Sequence, residues 1–321
     1  MNNSGCHILL CGSRFLKMEE VIMQKKKKMN WKRELPFVAF ILPAFLIYVI
    51  VTIIPTAGTL GYSFTDFDGF ARNVNFVGFA NYIKIFKSPN VVQSILNSLI
   101  YGFATPILIT ALAIPLALAL NSKIKSKNIL RAVFFFPSVI SSLFLGYIWK
   151  FILSPSTTGM INGILTKMGK DPLLLLADGK MAMVFLILVT VWTSTGWHAC
   201  IYIANLQTIS PDYYEAATMD GASKWQQFWK ITFPMLAPSM TTSVMLLLTS
   251  GLKAFDLPFA LTEGGPGHAT TMITQTIINE GITANQVGFS SAMSFLFLLI
   301  ISVLTMAQTT IMRRREAKLY E

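Results

Sequence analysis

From Met181 to Ala222 the chain reads MAMVFLILVTVWTSTGWHACIYIANLQTISPDYYEAATMDGA. Its first part, about Met181 to Leu206, holds no Asp, Glu, Lys or Arg. It also exceeds the roughly 20 residues that a helix needs to cross a bilayer. The second part is polar and opens a short helix. Ser210 is an N-cap residue, Pro211 suits the first helical position, and Asp212 complements the positive end of the helix dipole. Glu215, Ala216 and Ala217 continue it with strong helix formers. A membrane-crossing helix that delivers a capped polar helix to one face sets the expected fold class: all-α and polytopic.

The same pattern extends in both directions. Six spans are expected: about Pro36 to Leu60, Ile95 to Leu120, Val133 to Leu153, Met181 to Leu206, Pro234 to Leu252 and Phe289 to Met312. Pro106, Pro115, Pro137 and Gly146 fall inside spans, where neighbouring helices and hydroxyls can satisfy the freed carbonyls. The 321 residues are 53% hydrophobic and only 13% charged, as expected of a single membrane domain over 31–321 with no room for a large soluble one. The net charge of +11 lies beside the spans rather than on an aromatic-interleaved patch, which argues against nucleic acid and for membrane lipid as the surroundings.

Residues 1–30 differ from the rest and read as a disordered tail ending in the Lys25, Lys26, Lys27, Lys28 run. The Ile8-Leu9-Leu10 apolar core is too short for a signal peptide, and Met18, Met23 and Met29 offer later starts. Cys6, Cys11 and Cys200 imply no disulfide framework, and His7, His198 and His268 form no ligand pair, so no metal and no cofactor are expected.

Charge bias orients the spans. Lys32 and Arg33 precede the first span, Lys123, Lys125, Lys127 and Arg131 lie between the second and third, and Arg313, Arg314, Arg315 and Lys318 follow the last. Placing all of these in the cytoplasm makes both termini cytoplasmic, with the 207–233 segment on the same side.

Within that segment Gly221 ends the first short helix. A second, Ser223 to Thr232, brings Trp225, Phe228 and Trp229 to one side, and Pro234 is expected to stop it. Physical reading alone leaves an interfacial turn and a docking element equally open.

Glu215-Ala216-Ala217, three residues, Gly221, nine residues, then Ile231-Thr232-Phe233-Pro234 resembles the EAA loop of ATP-binding cassette importer permeases. Only Phe233 departs, standing where that pattern has leucine. The resemblance implies that the first helix is a coupling helix seated in a groove of a separate ATPase subunit. Tyr214, Glu215, Ala216, Ala217, Asp220 and Gly221 would then make the contact. Leu261-Thr262-Glu263-Gly264-Gly265-Pro266 and Phe76-Val77-Gly78-Phe79-Ala80-Asn81-Tyr82 are similar to segments of carbohydrate permeases of the maltose and glycerol-phosphate type. Gly264, Gly265 and Pro266 become candidates for contact with an extracellular or periplasmic solute-binding protein. By physics alone they make a tight turn.

A pathway for a polar solute needs polar residues on a span. Thr190, Ser194 and Trp197 fall at i, i+4, i+7 on one face, with Thr193 and His198 nearby. An aromatic ring flanked by hydroxyls suits a sugar, although Ser and Thr also serve plain helix packing. Thr249, Ser250, Lys253 and Asp256 form a second group, its two charges spaced to pair at i, i+3.

No P-loop is present: the Gly163 to Gly169-Lys170 stretch is one residue too long, and Asp171 stands where Ser or Thr is required. The chain is therefore expected not to be an enzyme, with ATP hydrolysis supplied by ATP-binding cassette subunits. The resemblance further implies a second permease subunit and residence in a bacterial or archaeal inner membrane. The alternatives are the same importer class with another polar solute, and an ion-gradient-driven secondary transporter.

Overall fold

A computed structural model describes residues 31–122 and 125–320, so the tail expected over 1–30 lies outside the described residues. The described chain is helical, and its one β-type pairing is the antiparallel bridge between Thr65 and Phe76.

Of the described residues, 31–58 fall in one compact unit and those from Thr59 onward in the other. The first contains most of α1, which runs as Trp31–Tyr48, a π-turn Val49–Ile53 and Ile54–Tyr62. Phe40, Ile47 and Val51 on it are exposed, as suits a surface solvated by lipid.

In the second unit the short α2 (Ala80–Lys87) leads through Ser88 into α3 (Pro89–Asn121). The third expected span is not one helix. α4 (Lys127–Phe135) passes through a 3-10 turn Phe136–Val139 and meets α5 (Ser142–Leu153) at a 94° bend. Pro137 lacks the N–H that would continue the ladder, and the chain turns extended at Ile140 before restarting. Next come α6 (Met160–Lys167) and the uninterrupted α7 (Gly179–Leu206), whose N-cap Asp178 accepts from the Met181 N–H at 2.8 Å.

α8 (Pro211–Met219) and α9 (Lys224–Gln227) follow, and α9 continues as a π-turn Phe228–Thr232 and a helical turn Phe233–Met235. Pro234 therefore does not stop the helix. It follows directly on the π-turn, whose Phe233 N–H reaches back to the Phe228 carbonyl, and the break comes at Leu236 with a 62° bend into α10 (Ala237–Leu252). The fifth expected span, about Pro234 to Leu252, is thus bent near its start, and α10 forms its longer arm. Two short helices absent from the sequence reading, α11 (Asp256–Thr262) and α12 (Ile273–Ile278), precede α13 (Val287–Tyr320). Among the described residues four helices are long and apolar enough to cross a membrane, or up to six where each bent pair counts as one span.

Three buried layers join the second unit. Ile109, Ala113, Tyr202, Leu206 and Leu236 unite α3, α7 and the start of α10. Ile85, Leu252, Ile273, Phe289 and Met293 unite α2, α10, α12 and α13. Tyr101, Leu145, Leu186, Leu261 and Met272 unite α3, α5, α7 and α11. Small residues permit the closest crossings. A Cβ on Gly196 of α7 would collide with the Phe134 carbonyl, and one on Gly146 of α5 with the Ala260 side chain.

Candidate functional site

The 207–233 segment folds as a braced knob. Ser210 caps α8 through its backbone and side chain, accepting from the Asp212 N–H at 3.3 Å. At the other end the Gly221 N–H bonds the Thr218 carbonyl at 3.0 Å and the Ala222 N–H bonds the Ala217 carbonyl at 2.9 Å. These paired bonds form the Schellman arrangement, which places Gly221 in the left-handed region at φ 76°, where a Cβ is disfavoured. α9 starts with a capping box, Ser223 and Gln226 each satisfying the other's backbone N–H.

The two helices are cross-tied. The Gln227 amide donates to the Thr218 hydroxyl at 2.9 Å and to the Ala222 carbonyl at 3.2 Å, and the Tyr214 and Thr232 hydroxyls lie 3.0 Å apart. Tyr214 is half-buried against the α3–α7 layer, as are Phe228 and Phe233. Trp229 stands 5.0 Å from both Phe228 and Phe233 in tilted or edge-on contact. Of the coupling candidates, Glu215, Ala216, Asp220 and Gly221 are exposed, whereas Tyr214 and Ala217 are half-buried. The free surface of α8 thus presents small residues and carboxylates beside the exposed Tyr213 and Met219.

The span-four candidates open onto two hollows with shared walls. One of about 310 Å³ is lined by Tyr101, Thr105, Thr190, Thr193, Ser194, Ser250, Lys253 and Asp256, among others. The other, about 250 Å³, is lined by Ser138, Ser142, Thr193, Ser194, Trp197 and His198, among others. Ser142, Thr193, Ser194 and Leu257 border both. The structure thus brings Thr190, Ser194 and Trp197 to one contiguous polar lining. Thr249 is not among the lining residues and donates to the Met245 carbonyl of its own helix at 2.8 Å. Lys253 and Asp256 both line the larger hollow but do not pair. Among the described residues the one ion pair is Lys150 with Glu263 at 2.6 Å.

Several lining residues escaped the sequence reading. Tyr101 comes from the middle of an apolar span, and its hydroxyl lies 2.8 Å from that of Thr190. Ser138 and Ser142 reach the smaller hollow because the chain breaks between α4 and α5. The Pro137-Ser138 and Ser141-Ser142 pairs within an aromatic run were the available signal.

Gly264, Gly265 and Pro266 belong to a tightly bonded loop. Gly264 is buried at φ 88°, and a Cβ there would lie 2.5 Å from the Thr271 hydroxyl. The Thr270 hydroxyl donates to the Gly265 carbonyl at 2.8 Å, and Gly265-Pro266 is cis. The Asn97 amide on α3 donates to the His268 and Thr271 carbonyls at 3.0 and 3.1 Å, fastening the loop to the body. Gly265 and Pro266 are half-buried, while Gly267 and His268 form its exposed rim.

Residues 109–317 match the family described as binding-protein-dependent transport system inner membrane component. The chain is 32% identical over 305 residues to the probable starch degradation products transport system permease protein AmyD of Thermoanaerobacterium thermosulfurigenes, covering 92% of this chain and 100% of that one. It is 32% identical to the trehalose/maltose transport system permease protein MalF of Thermococcus litoralis, covering 82% of this chain and 88% of that one. It is 31% identical to the sn-glycerol-3-phosphate transport system permease protein UgpA of Brucella abortus, covering 86% and 96%. In fold it is similar to a chain of a bacterial alginate ABC transporter solved with an alginate pentasaccharide-bound periplasmic protein, with TM-score 0.78, 22% identity, and 91% of this chain and 99% of that one covered. Family match and relatives agree with the fold, and the chain belongs to the binding-protein-dependent transport inner membrane components, the permease subunits of ATP-driven importers.

Proposed function

We propose that this permease conducts a sugar or sugar derivative delivered by a solute-binding protein, and that the exposed face of α8 receives the stroke of the ATPase subunits. The carrying observation is the pairing of a braced, exposed Glu215–Ala216 face with a hydroxyl-rich hollow on the adjoining span. Small side chains at Ala216 and Ala217 permit close approach of another protein, and Glu215 offers a carboxylate to a basic residue. In the hollow, hydroxyls of Tyr101, Thr190 and Ser194 exchange hydrogen bonds with a polyol, and Trp197 supplies an aromatic face for its C–H surfaces. Relatives named for starch products, maltose and trehalose, and glycerol phosphate support a carbohydrate-type cargo.

The scheme assigns a second permease subunit to complete the pathway and places both termini with the 207–233 loop on the cytoplasmic side. The 263–272 loop, built on Gly264, Gly265 and Pro266 and presenting Gly267 and His268 at its rim, faces the solute-binding protein. A secondary transporter driven by an ion gradient is disfavoured by the family.

The test is cysteine crosslinking of Ala216→Cys in the assembled transporter against a panel of single cysteines lining the ATPase surface groove. A disulfide that forms and blocks ATP-dependent uptake in proteoliposomes is expected. No crosslink across the panel, with uptake that proceeds without ATP, would overturn the proposal.

A further inference from the structure

The eight-residue helix α2 separates its faces sharply. Ile85 is fully buried in the layer with Phe289 and Met293, while on the other side Phe79 is 69% exposed, Ile83 53% and Phe86 68%. These three stand at i, i+4 and i+7, one edge of a helix. Phe76, 79% exposed, extends the apolar patch at its start. An exposed aromatic edge on a helix with two lysines and no acid calls for an occupant.

The anchors of α2 fix its level. The Tyr82 hydroxyl bonds the Ser63 hydroxyl at 2.8 Å, and the Asn81 amide donates to the Ser63 and Thr65 carbonyls at 3.0 and 2.8 Å. Those residues follow directly on the end of α1 at Tyr62. On the other side the Lys84 ammonium donates to Gln286 at 2.5 Å and sits 4.1 Å from the centre of the Phe289 ring, at the start of α13. α2 itself runs through Ser88 into the start of α3 at Pro89. It is thus pinned to the ends of three membrane-crossing helices, and α3 and α13, at 33 and 34 residues, exceed the roughly 20 that cross the hydrocarbon, so their ends reach the headgroup zone.

We propose that α2 lies flat in the headgroup zone of the leaflet facing away from the 207–233 loop. Its Phe79–Ile83–Phe86 edge dips into the acyl boundary, and Lys87 meets the lipid phosphate. The occupant of the patch is phospholipid, preferentially anionic, because the exposed charge on the helix is cationic and the apolar edge sits at bilayer level. The anchored face fixes the depth of α3 and α13 relative to the membrane surface. The assignment of leaflet rests on the six-span reading, whereas the contact with lipid does not.

The experiment uses the assembled transporter in nanodiscs of phosphatidylcholine with phosphatidylglycerol, its other cysteines replaced by serine. Nitroxides are placed singly at Ile83→Cys, Phe86→Cys and Lys87→Cys, all exposed positions that leave the core intact. Oxygen collisions should exceed those of a water-soluble nickel chelate at 83 and 86, at depths about 5–10 Å below the phosphates, with the order reversed at 87. Dominance of the nickel chelate at 83 and 86 would place the edge in water and overturn the proposal. Exclusion of both reagents would show that a protein covers it, with the same consequence. A membrane-impermeant thiol reagent on Lys87→Cys reads sidedness separately. Reaction from the same side as a label on 207–233 would undo the six-span reading while leaving the depth result standing.

Discussion

The hydroxyls of Tyr214 and Thr232 lie 3.0 Å apart, the one side-chain bond that runs from the middle of α8 to the π-turn leading into α10. It and the Gln227 ties fasten α8 to the segment that leads into α10 by side-chain bonds as well as by the chain, the connection that the proposed coupling uses. Tyr214→Phe and Thr232→Val should each lower stability by about 0.5–1.5 kcal/mol, and the double variant should lose little more than either single one. Thermal unfolding of the purified chain in detergent checks the non-additivity. Full additivity would show that the pair does not act as a unit.

Gly196 and Gly221 should respond differently to alanine. A Cβ at Gly196 strikes the Phe134 carbonyl, which α4 holds in place, so Gly196→Ala should cost ~1–3 kcal/mol or prevent assembly of α4 on α7. Gly221 has open space around it but a φ of 76°, so Gly221→Ala should cost about 1–2 kcal/mol, confined to the knob. Proteolysis within 207–233 would rise for the second variant, and global unfolding would shift more for the first.

The hollow predicts a graded set of uptake defects. Tyr101→Phe and Thr190→Val each remove one of a pair of bonded hydroxyls and should raise the apparent KM about two- to tenfold, as a hydrogen bond of ~0.5–1.5 kcal/mol implies. Trp197→Ala should cost about tenfold or more, since it deletes the aromatic face. Thr249→Val, outside the lining, should leave uptake unchanged. Initial-rate uptake of a labelled oligosaccharide in proteoliposomes compares the four variants.

Lys150 and Glu263 form a half-exposed pair at 2.6 Å. Such pairs contribute little, so Lys150→Met should change stability by ~0–1 kcal/mol and the change should shrink in high salt. Glu263 also sits in the left-handed region at φ 53°, capping α11. Glu263→Gly removes both the bond and the strain, and its melting temperature should stay near that of the parent. A large loss would show that the ion pair matters more than the backbone.

Asp66 gives the loop after α1 a sensitivity to acid. The Asn75 side-chain amide and then its backbone N–H donate to the carboxylate, holding its pKa below the ordinary 3.8. Because the folded value is the lower one, the stabilisation is present above 3.8 and is lost as pH falls through the folded pKa. Asn75→Ala should bring loop opening to higher pH, read by protease accessibility of 63–79 across an acid series. An unchanged profile would remove Asn75 as the cause.

Much of this molecule was legible because lipid leaves a simple imprint. Apolar runs of span length located α1, α3, α7 and α13, the caps at Ser210 and Gly221 bounded the first short helix of the knob, and the second was expected from Ser223 to Thr232 without its capping box. The polar face at Thr190, Ser194 and Trp197 followed from helical spacing alone. The breaks were misplaced for a definite reason. Pro137 ends its helix because the chain goes extended at Ile140, while Pro234 is tolerated because it follows directly on a π-turn. A proline's effect depends on where the turn begins, which local sequence does not reveal.

The order of residues by itself determined the membrane class, the four long spans and the capped start of the knob, since each depends on hydropathy or on backbone groups within a few residues. Only the tertiary structure decided that Tyr101 faces Thr190, that Lys253 and Asp256 share a hollow without pairing, and that Gly264 is buried beneath Thr271. The first joins helices distant in the chain, and the other two depend on how a short connecting segment is folded against its neighbours. Packing density and the reach of particular side chains settle them, and neither has a periodic trace in sequence.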